Sequence, residues 1–247
     1  MTAAGGLAVV QLELRVAEVG PAAAFLRAAF GWTVSEAEPG LAWADPGALP
    51  VVRVRAVAPG EAPGVTPWVA TEDLAAGLAA AAALGAGVGE VIGGAGAGWA
   101  AETRDPWGHA LCLWQPDGAF APALRGEGSH RVAWVEAAVP GLAAAVRHYR
   151  QLCGWGFQMS AAVEGFAYSV EPGRDVGVGL AAAGREASAQ GFGAFVGTAD
   201  LDLAAARIGL AGGHMGRGTQ RGPRGERRRG VTGPGGVLVG LVEIART

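Results

Sequence analysis

The segment DPWGHALCLWQP (residues 105–116) recurs in weaker form as GPGGVLVGLVEI (residues 233–244). In both copies a turn rich in glycine or proline precedes a run of mainly apolar residues, which is typical of a tight turn that leads into a buried strand. Gly108 of the first copy aligns with Gly236 of the second, an offset of 128 residues. The last part of each copy is therefore predicted to be the same turn and strand.

A second pair of segments extends the similarity. VVQLELRVAEVGPAAAFLRAAFGW (9–32) aligns with VAWVEAAVPGLAAAVRHYRQLCGW (132–155) at an offset of 123 residues. A duplication of about 120 residues is best recognised before local structure is assigned. We therefore predict a first domain over residues 1–122 and a second, degenerate domain of the same fold over residues 129–247.

The local patterns occur in the same order in each half. QLELRV alternates polar and apolar residues as a strand does, and Pro21 begins a helix that ends at Gly31. Short strands follow over TVSEA, LAWAD and PVVRVRAV. TPWVAT then starts a second cycle, with a helix over 72–85 and strands near 88–92, 97–103 and 109–115. The pattern predicts an α+β fold of four strand-helix-strand-strand-strand units.

Composition restricts the possible functions. The 247 residues are 51% hydrophobic and carry a formal net charge of -3, so a substantial core is possible. The N-terminal residues include no basic leader and no long apolar run, which favours a cytoplasmic protein without a membrane partner. The two cysteines, Cys112 and Cys153, lie in different halves and are predicted to be reduced. No nucleophile elbow, phosphate-binding loop or dinucleotide motif is found.

Six arginines lie between Arg217 and Arg229, in RGTQRGPRGERRR, and are opposed only by Glu226. A basic tract of this kind can bind phosphates or nucleic acid. This tract lacks the aromatic residues that a nucleic-acid platform would interleave. We therefore predict a solvated, glycine-rich loop and no nucleic-acid partner.

Three features together resemble the vicinal oxygen chelate superfamily, which includes glyoxalases, bleomycin-resistance proteins and extradiol dioxygenases. They are the helix that ends in FGW or CGW, the segment ATEDLAAGLAAAAALGA, and the Asp-Pro-x-Gly turn of DPWGHALCLWQP. The resemblance covers nearly the whole chain, as two tandem domains. It implies that paired units curl their mixed sheets into a cup and that the ligand lies inside the cup.

The resemblance also implies where a metal ion would lie. Metal-dependent members hold a divalent ion with His and Glu from strands that line the cup. Those positions fall at Gln11 and Cys112 in the first domain, and at Trp134 and Gly240 in the second. The middle strand of each domain adds no usable ligand. Because a divalent ion needs converging carboxylates or imidazoles, we predict no metal site and no cofactor.

Strand spacing and the resemblance predict which side chains face the cup. Side chains two apart on a strand share a face, so Gln11, Glu13 and Arg15 point the same way, as do Trp134 and Glu136. Six of the eight tryptophans belong to the first domain, which favours a flat aromatic ligand there. The predicted ligand-binding residues are Gln11, Arg15, Trp68, Cys112, Trp114 and Trp134.

Glu13 and Glu136 are the candidates for acid or base catalysis, because a carboxylate inside an apolar cup is suited to that role. Alternatively, Glu13 pairs with the neighbouring Arg15 in a structural ion pair, and Glu136 lies at an interface between the domains. The histidines lack partners at ligand or triad spacing, and His109 is predicted to be exposed in its turn. Trp32 and Trp155 are predicted to fill the core.

Three functions are compatible with these patterns. The favoured one is metal-independent binding of a small aromatic or polycyclic metabolite, as in drug-binding and self-resistance proteins. The second is a metal-independent isomerase, cyclase or hydratase/lyase that acts on a natural-product intermediate. The least favoured is a metal-dependent dioxygenase or glyoxalase. The assembly is predicted to be a monomer whose two domains mimic a dimer, or a homodimer.

Overall fold

The computed structural model describes residues 6–47, 50–94, 98–118, 130–169, 176–183 and 191–244. Within these residues it contains four α-helices and eighteen strands, in agreement with the predicted α+β fold. The predicted boundary between the domains, at residues 122–129, lies outside the described residues. We therefore refer to residues 6–118 as the N-terminal half and to residues 130–244 as the C-terminal half.

The N-terminal half contains two units, each with a strand, a helix and further strands. The first unit consists of β1 (Val9–Val16), α1 (Val19–Phe30), β2 (Thr33–Glu38), β3 (Leu41–Asp45) and β4 (Val51–Ala56). The second consists of β5 (Gly64–Ala70), α2 (Leu74–Ala83), β6 (Gly87–Val88), β7 (Ile92–Gly94), β8 (Gly98–Arg104) and β9 (Ala110–Gln115). The strand predicted near 88–92 is divided into β6 and β7, and the other predicted elements occur close to their predicted bounds.

The C-terminal half has the same order of elements. Its first unit consists of β10 (Val132–Val139), α3 (Leu142–Cys153), β11 (Phe157–Met159), β12 (Phe166–Ser169) and β13 (Gly177–Ala182). Its second consists of β14 (Phe192–Thr198), α4 (Leu201–Leu210), β15 (His214–Met215), β16 (Gln220–Arg221), β17 (Arg227–Gly233), a 3₁₀ turn at Pro234–Gly236 and β18 (Val237–Glu243).

Strand pairing follows one rule in all four units. The first and last strands of each unit pair in parallel, as β1–β4, β5–β9, β10–β13 and β14–β18. The opening strands of neighbouring units pair antiparallel, as β1–β5 and β10–β14. Each half therefore forms a mixed sheet whose helices pack on one face, and a bridge between Phe192 and Val65 joins the two sheets. We call the face away from the helices the inner face.

Local sequence determines where the helices begin and end. α1 and α3 end where Gly31 and Gly154 adopt left-handed φ values of 70° and 69°, a conformation that favours glycine after a helix. α2 and α4 begin after Asp73 and Asp200, whose carboxylates accept hydrogen bonds from backbone N–H groups of the first turn. None of the helices among the described residues is long and apolar enough to cross a membrane.

The core lies between the helices and the sheets. On β1 the residues on the helix side, Leu12, Leu14 and Val16, are at most 3% exposed. They belong to the same buried cluster as Phe25 and Leu26 of α1. Burial of such side chains contributes about 1.5–3 kcal/mol each relative to exposure. The alternation along β1 thus fixes which of its residues remain for the inner face.

Two reciprocal hydrogen bonds join the halves. The Trp32 indole N–H donates to the backbone carbonyl of His130 at 2.6 Å, and the Trp155 indole N–H donates to that of Leu7 at 2.7 Å. The two bonds are related by the repeat, because Trp155 lies 123 residues after Trp32 and His130 lies 123 residues after Leu7. The predicted burial of both tryptophans is confirmed. Their N–H groups in addition connect the halves.

A buried polar cluster forms a further contact between the halves. The Asp105 carboxylate accepts a hydrogen bond from the Tyr149 hydroxyl of α3 at 2.8 Å and lies 2.8 Å from His109 Nδ1. Burial works to raise the pKa of Asp105, but hydrogen bonds from His109 and Tyr149 hold that pKa below its ordinary value. The predicted exposure of His109 is wrong: it is 5% exposed, because Asp105 holds its ring against Phe192.

We expect Tyr149→Phe to lower the free energy of unfolding by about 1.5–3 kcal/mol, since it removes a hydrogen bond to a buried charged acceptor. The loss should be full above pH 3.8, the ordinary Asp pKa. It should shrink as the pH falls through the lower folded pKa, because protonation of Asp105 ends the charge assistance. Urea unfolding at several pH values measures both effects. Tyr168→Phe is the matched control, and equal stabilities of the two variants would contradict the role of this bond.

Candidate functional site

The inner face of the N-terminal half brings together six of the predicted site residues. Across β1 and β5, Glu13 lies opposite Thr66 and Gln11 lies opposite Trp68. Across β5 and β9, Trp68 lies opposite Cys112. Residues that pair across neighbouring strands point to the same side of the sheet. The predicted residues on this face, which we call the N-terminal inner face, are Gln11, Glu13, Arg15, Trp68, Cys112 and Trp114.

An ion-pair network covers one side of the N-terminal inner face. The Glu13 carboxylate lies 3.1 Å from Arg55 Nε and 3.4 Å from Arg53 Nη1. Arg55 also pairs with Glu61 at 2.8 Å, and Arg15 pairs with Glu61 at 3.3 Å. The predicted pair between Glu13 and Arg15 is therefore replaced by pairs with β4. The cause is the parallel register of β1 and β4, which sets Glu13 directly opposite Arg53.

The same network shifts the pKa of Glu61. Hydrogen bonds from Arg55, opposed by partial burial, lower the pKa of Glu61 from 4.5 to about 2. A carboxylate with a lowered folded pKa stabilises the fold above its unfolded value and loses that contribution as the pH falls through the folded value. The contribution of Glu61 is thus fully present above pH 4.5 and declines towards pH 2. At neutral pH the Glu61 carboxylate is therefore charged.

Close packing orders Arg15 within this network. Arg15 is 8% exposed and lies opposite Gly64 of β5. A Cβ at Gly64 would lie 2.9 Å from Arg15 Nη2, so the glycine leaves the space that the guanidinium occupies. The predicted inward direction of Arg15 agrees with this packing.

Aromatic and thiol groups cover the other side of the N-terminal inner face. Trp68 is half-buried, and Trp114 lies opposite Ala70 and Ala100 on the strands beside it. Burial raises the pKa of the Cys112 thiol, and the negative charges of Glu13 and Glu102 raise it further. Cys112 is therefore a neutral thiol at physiological pH, which makes it a poor nucleophile.

The inner face of the C-terminal half holds Trp134 and Glu136, the two remaining predicted residues. Trp134 is 2% exposed, and its indole N–H donates to Glu136 Oε2 at 3.0 Å. The same oxygen lies 2.5 Å from Arg228 Nη2. The Arg228 guanidinium in turn lies 3.8 Å above the ring centre of Phe195, a cation–π contact. Glu136 is thus paired within its own sheet and does not lie between the halves, as one alternative predicted.

The position of Arg228 corrects the interpretation of the arginine tract. The tract was predicted to be a solvated loop, but β16 and β17 form a hairpin within it. Arg228 is 4% exposed, whereas Arg227 on the same strand is exposed. The strand alternation explains the difference, because successive side chains point to opposite faces of the sheet. At least one arginine of the tract therefore belongs to the interior.

Glycines allow the C-terminal inner face to pack closely. A Cβ at Gly179 would lie 2.6 Å from Phe166 Cζ and 2.8 Å from Trp134 Cζ2. A Cβ at Gly177 would overlap Trp134, and one at Gly240 would overlap the Phe195 ring. The large rings thus lie directly on the backbone of neighbouring strands. This packing leaves Trp134 as a buried filler of the face.

The donor set does not fit a divalent metal ion. The four positions aligned with metal ligands hold Gln11, Cys112, Trp134 and Gly240. Across the ranges that the structure covers, no three His, Cys, Asp or Glu side chains converge so as to hold an ion. Glu13, two residues from Gln11, and Glu102, directly opposite Cys112, already have arginine partners. We derive no chemistry through a metal from these residues.

A surface cleft of about 470 Å³ lies apart from both inner faces. It lies between the end of α1 and Arg207 of α4, and Phe30, Trp32 and His130 contribute to its wall. None of the predicted site residues lines it. Its other lining residues are small or proline, so the cleft offers few groups that could fix the orientation of a ligand.

Sequence reasoning missed Arg53, Arg55 and Glu61. Arg53 and Arg55 stand two apart in PVVRVRAV, which indicated a shared face of a strand. The spacing could not predict which strand pairs with β4. Its partner is β1, and two other strands lie between them in the sequence. Glu61 lies in the connection to β5, where no periodicity applies.

No family model and no curated protein sequence matches the chain, whereas solved structures match it over nearly its full length. One is 2,2',3-trihydroxybiphenyl 1,2-dioxygenase from Sphingomonas wittichii strain RW1, at 14% identity and a TM-score of 0.67, over 99% of this chain and 92% of that one. Another is a 2,3-dioxygenase from Pseudomonas sp. KL28, at 11% identity and a TM-score of 0.70, over 99% and 94%. A Mn(II)-bound glyoxalase from Novosphingobium aromaticivorans matches at 16% identity and a TM-score of 0.63, over 96% and 81%.

These matches decide the architecture. The chain has the vicinal oxygen chelate fold. At 11–16% identity the likeness concerns the fold alone, and unrelated chemistries occur on one fold. The function therefore depends on the residues of the two inner faces.

We expect Gly179→Ala to lower the free energy of unfolding by about 1–3 kcal/mol, because the added methyl group would overpack Trp134 and Phe166. Gly230→Ala in β17 is the matched control, since a Cβ there has no neighbour within 4 Å. Chemical denaturation of both variants measures the difference. If Gly179→Ala were as stable as Gly230→Ala, the C-terminal inner face would contain a hollow instead of packed rings.

Proposed function

We propose that this protein binds a small aromatic or polycyclic metabolite on its N-terminal inner face, without a metal ion. The observation that carries the proposal is the contrast between the two halves. In the C-terminal half, Trp134, Phe195 and Arg228 pack closely over the sheet. In the N-terminal half, partly exposed aromatic and arginine side chains lie side by side on the equivalent face.

The lining of the N-terminal inner face supports an aromatic ligand. Trp68 offers an indole beside the small side chain of Cys112, and Trp43 of β3 is 37% exposed opposite Arg53. Indole rings bind flat apolar ligands by offset stacking, and a few convergent polar groups then fix their orientation. The arginine–glutamate network is the source of those polar groups.

The structural matches favour a different function, because they include dioxygenases and a Mn(II)-bound glyoxalase. A metal-dependent reaction of that kind would need ligands where this chain has Gln11 and Cys112. The neutral, buried thiol and the amide are a weak pair for a divalent ion. The donor set therefore supports binding without a metal over metal-dependent catalysis.

The contacts of the two glutamates count against acid–base catalysis. Glu13 accepts a hydrogen bond from Arg55 and has Arg53 beside its second oxygen. Glu136 is bonded to Trp134 and Arg228. These arginine partners replace the apolar surroundings that the catalytic role of a cup carboxylate assumed. Binding therefore remains the better proposal than isomerisation, cyclisation or hydration.

We expect aromatic ligands to bind the wild-type protein in the presence of a chelator, and Trp68→Ala to weaken that binding about tenfold. A factor of ten corresponds to about 1.4 kcal/mol, within the range for loss of one aromatic contact. Isothermal titration calorimetry with one-, two- and three-ring aromatic compounds measures the affinity.

Trp99→Ala is the matched control for this experiment. Trp99 is 45% exposed and lies on the opposite face of the N-terminal sheet from Cys112 and Trp114. The Trp99→Ala variant should bind the aromatic compounds with the affinity of the wild type. Absence of binding by every compound, or equal weakening in the two variants, would refute the proposal.

A further inference from the structure

Arg53 has unused hydrogen-bonding capacity on the N-terminal inner face. Its only ion-pair partner in the described part of the chain is Glu13, at 3.4 Å, and its buried Nε has no hydrogen-bond partner there. Arg55, by contrast, donates to Glu13, Glu61 and the carbonyl of Ala56. A guanidinium carries five N–H donors. The Arg53 side chain is 25% exposed although its Nε is buried, so a ligand would reach the guanidinium through its terminal Nη groups.

Further donors without partners lie on the same face as Arg53, on β1 and on β5 beyond it. The Thr66 hydroxyl is buried, and neither it nor Arg15 Nε has a hydrogen-bond partner among the described residues. Strand register sets Trp43, Arg53, Glu13 and Thr66 in one row across β3, β4, β1 and β5. Buried polar groups without partners are costly, at about 1–3 kcal/mol each. The row therefore combines an aromatic wall with groups that lack acceptors.

The charges of the network leave one cation in excess. Arg15, Arg53 and Arg55 contribute three positive charges, and Glu13 and Glu61 contribute two negative charges, so the sum is 3 - 2 = +1. The nearby Glu102 is paired with Arg104 at 2.6 Å and does not change this sum. Both glutamates of the network already have arginine partners. A ligand that accepts hydrogen bonds and carries negative charge would complement the face.

The distance between Arg53 and Trp68 also fits an aromatic ring that carries an acidic substituent. Arg53 on β4 lies opposite Glu13 of β1, and Trp68 on β5 lies opposite Gln11. The two positions are therefore about 10 Å apart across the strands and about 7 Å apart along them, which is about 12 Å in all. The long Arg53 side chain shortens that gap. An aromatic ring that stacks near Trp68 could therefore extend a carboxylate to the Arg53 guanidinium.

We infer that the ligand is an aromatic acid, whose carboxylate binds the Arg53 guanidinium. This inference rests on the proposed function. Guanidinium and carboxylate are planar and pair through two parallel N–H···O hydrogen bonds. The carboxylate supplies the acceptors that Arg53 lacks and neutralises the excess positive charge.

The test compares matched acids and amides. Benzoate, naphthalene-2-carboxylate and anthracene-2-carboxylate are titrated into the full-length protein by calorimetry in chelator, each against its primary amide. The wild type should bind at least one acid about tenfold or more tightly than the corresponding amide, as expected for charge-assisted hydrogen bonds. Arg53→Gln should bind both members of that pair with similar affinity.

Two further variants separate the role of Arg53 from structural damage. Arg53→Lys keeps the charge and should retain part of the preference for the acid, since it loses only the planar fork. Arg221→Gln removes the same charge from an exposed position in β16 and should keep the full preference. Circular dichroism and denaturant midpoints establish that each variant is folded.

The possible results distinguish the two levels of the proposal. If amides and acids bind the wild type equally, the acidic group is excluded while aromatic binding stands. If no acid and no amide binds, aromatic binding itself is refuted. A preference for acids that survives in Arg53→Gln would overturn the assignment of Arg53.

Discussion

The Glu13 carboxylate, held between Arg53 and Arg55, is the interaction on which the N-terminal half depends. A carboxylate that is almost fully buried needs a counter-charge and hydrogen bonds, because removal from water otherwise costs several kcal/mol. Here the counter-charge comes from the strand that pairs in parallel with β1. Positive charge in the middle of this sheet is thus supplied by guanidinium groups at positions 53 and 55. The same groups define what the face can bind.

The C-terminal half meets the corresponding requirement differently. Glu136 has Arg228 and the Trp134 indole as partners, and Arg228 stacks on Phe195. Glycines in the neighbouring strands let these large groups lie against the backbone. The N-terminal half leaves arginine side chains partly exposed beside aromatic side chains, whereas the C-terminal half packs its rings closely over the sheet. This difference between two halves of similar topology is why we assign the ligand to the N-terminal half.

The sequence predicted the fold and much of the inner faces, because alternation along strands is a local property. The order of elements followed from periodicity and from the glycines and proline that bound them, as at Pro21 and Gly31. The partners of charged residues are a different matter. Arg228 pairs with a residue 92 positions away, and its glycine-rich, basic surroundings are typical of loops. His109 was wrongly predicted to be exposed because Phe192, the ring that covers it, comes from the other half. The predicted oligomeric state and domain boundaries stay predictions.

Our central proposal is that arginines supply the counter-charge to Glu13 on a face where Gln11 and Cys112, at the positions aligned with metal ligands, do not bind a metal ion. Elemental analysis by inductively coupled plasma mass spectrometry tests it most directly, on protein purified without chelator and on protein incubated anaerobically with Fe²⁺ or Mn²⁺ and then desalted. We predict far less than one ion per chain in both samples. One tightly held ion per chain, lost in Glu13→Gln or Cys112→Ala, would contradict the account.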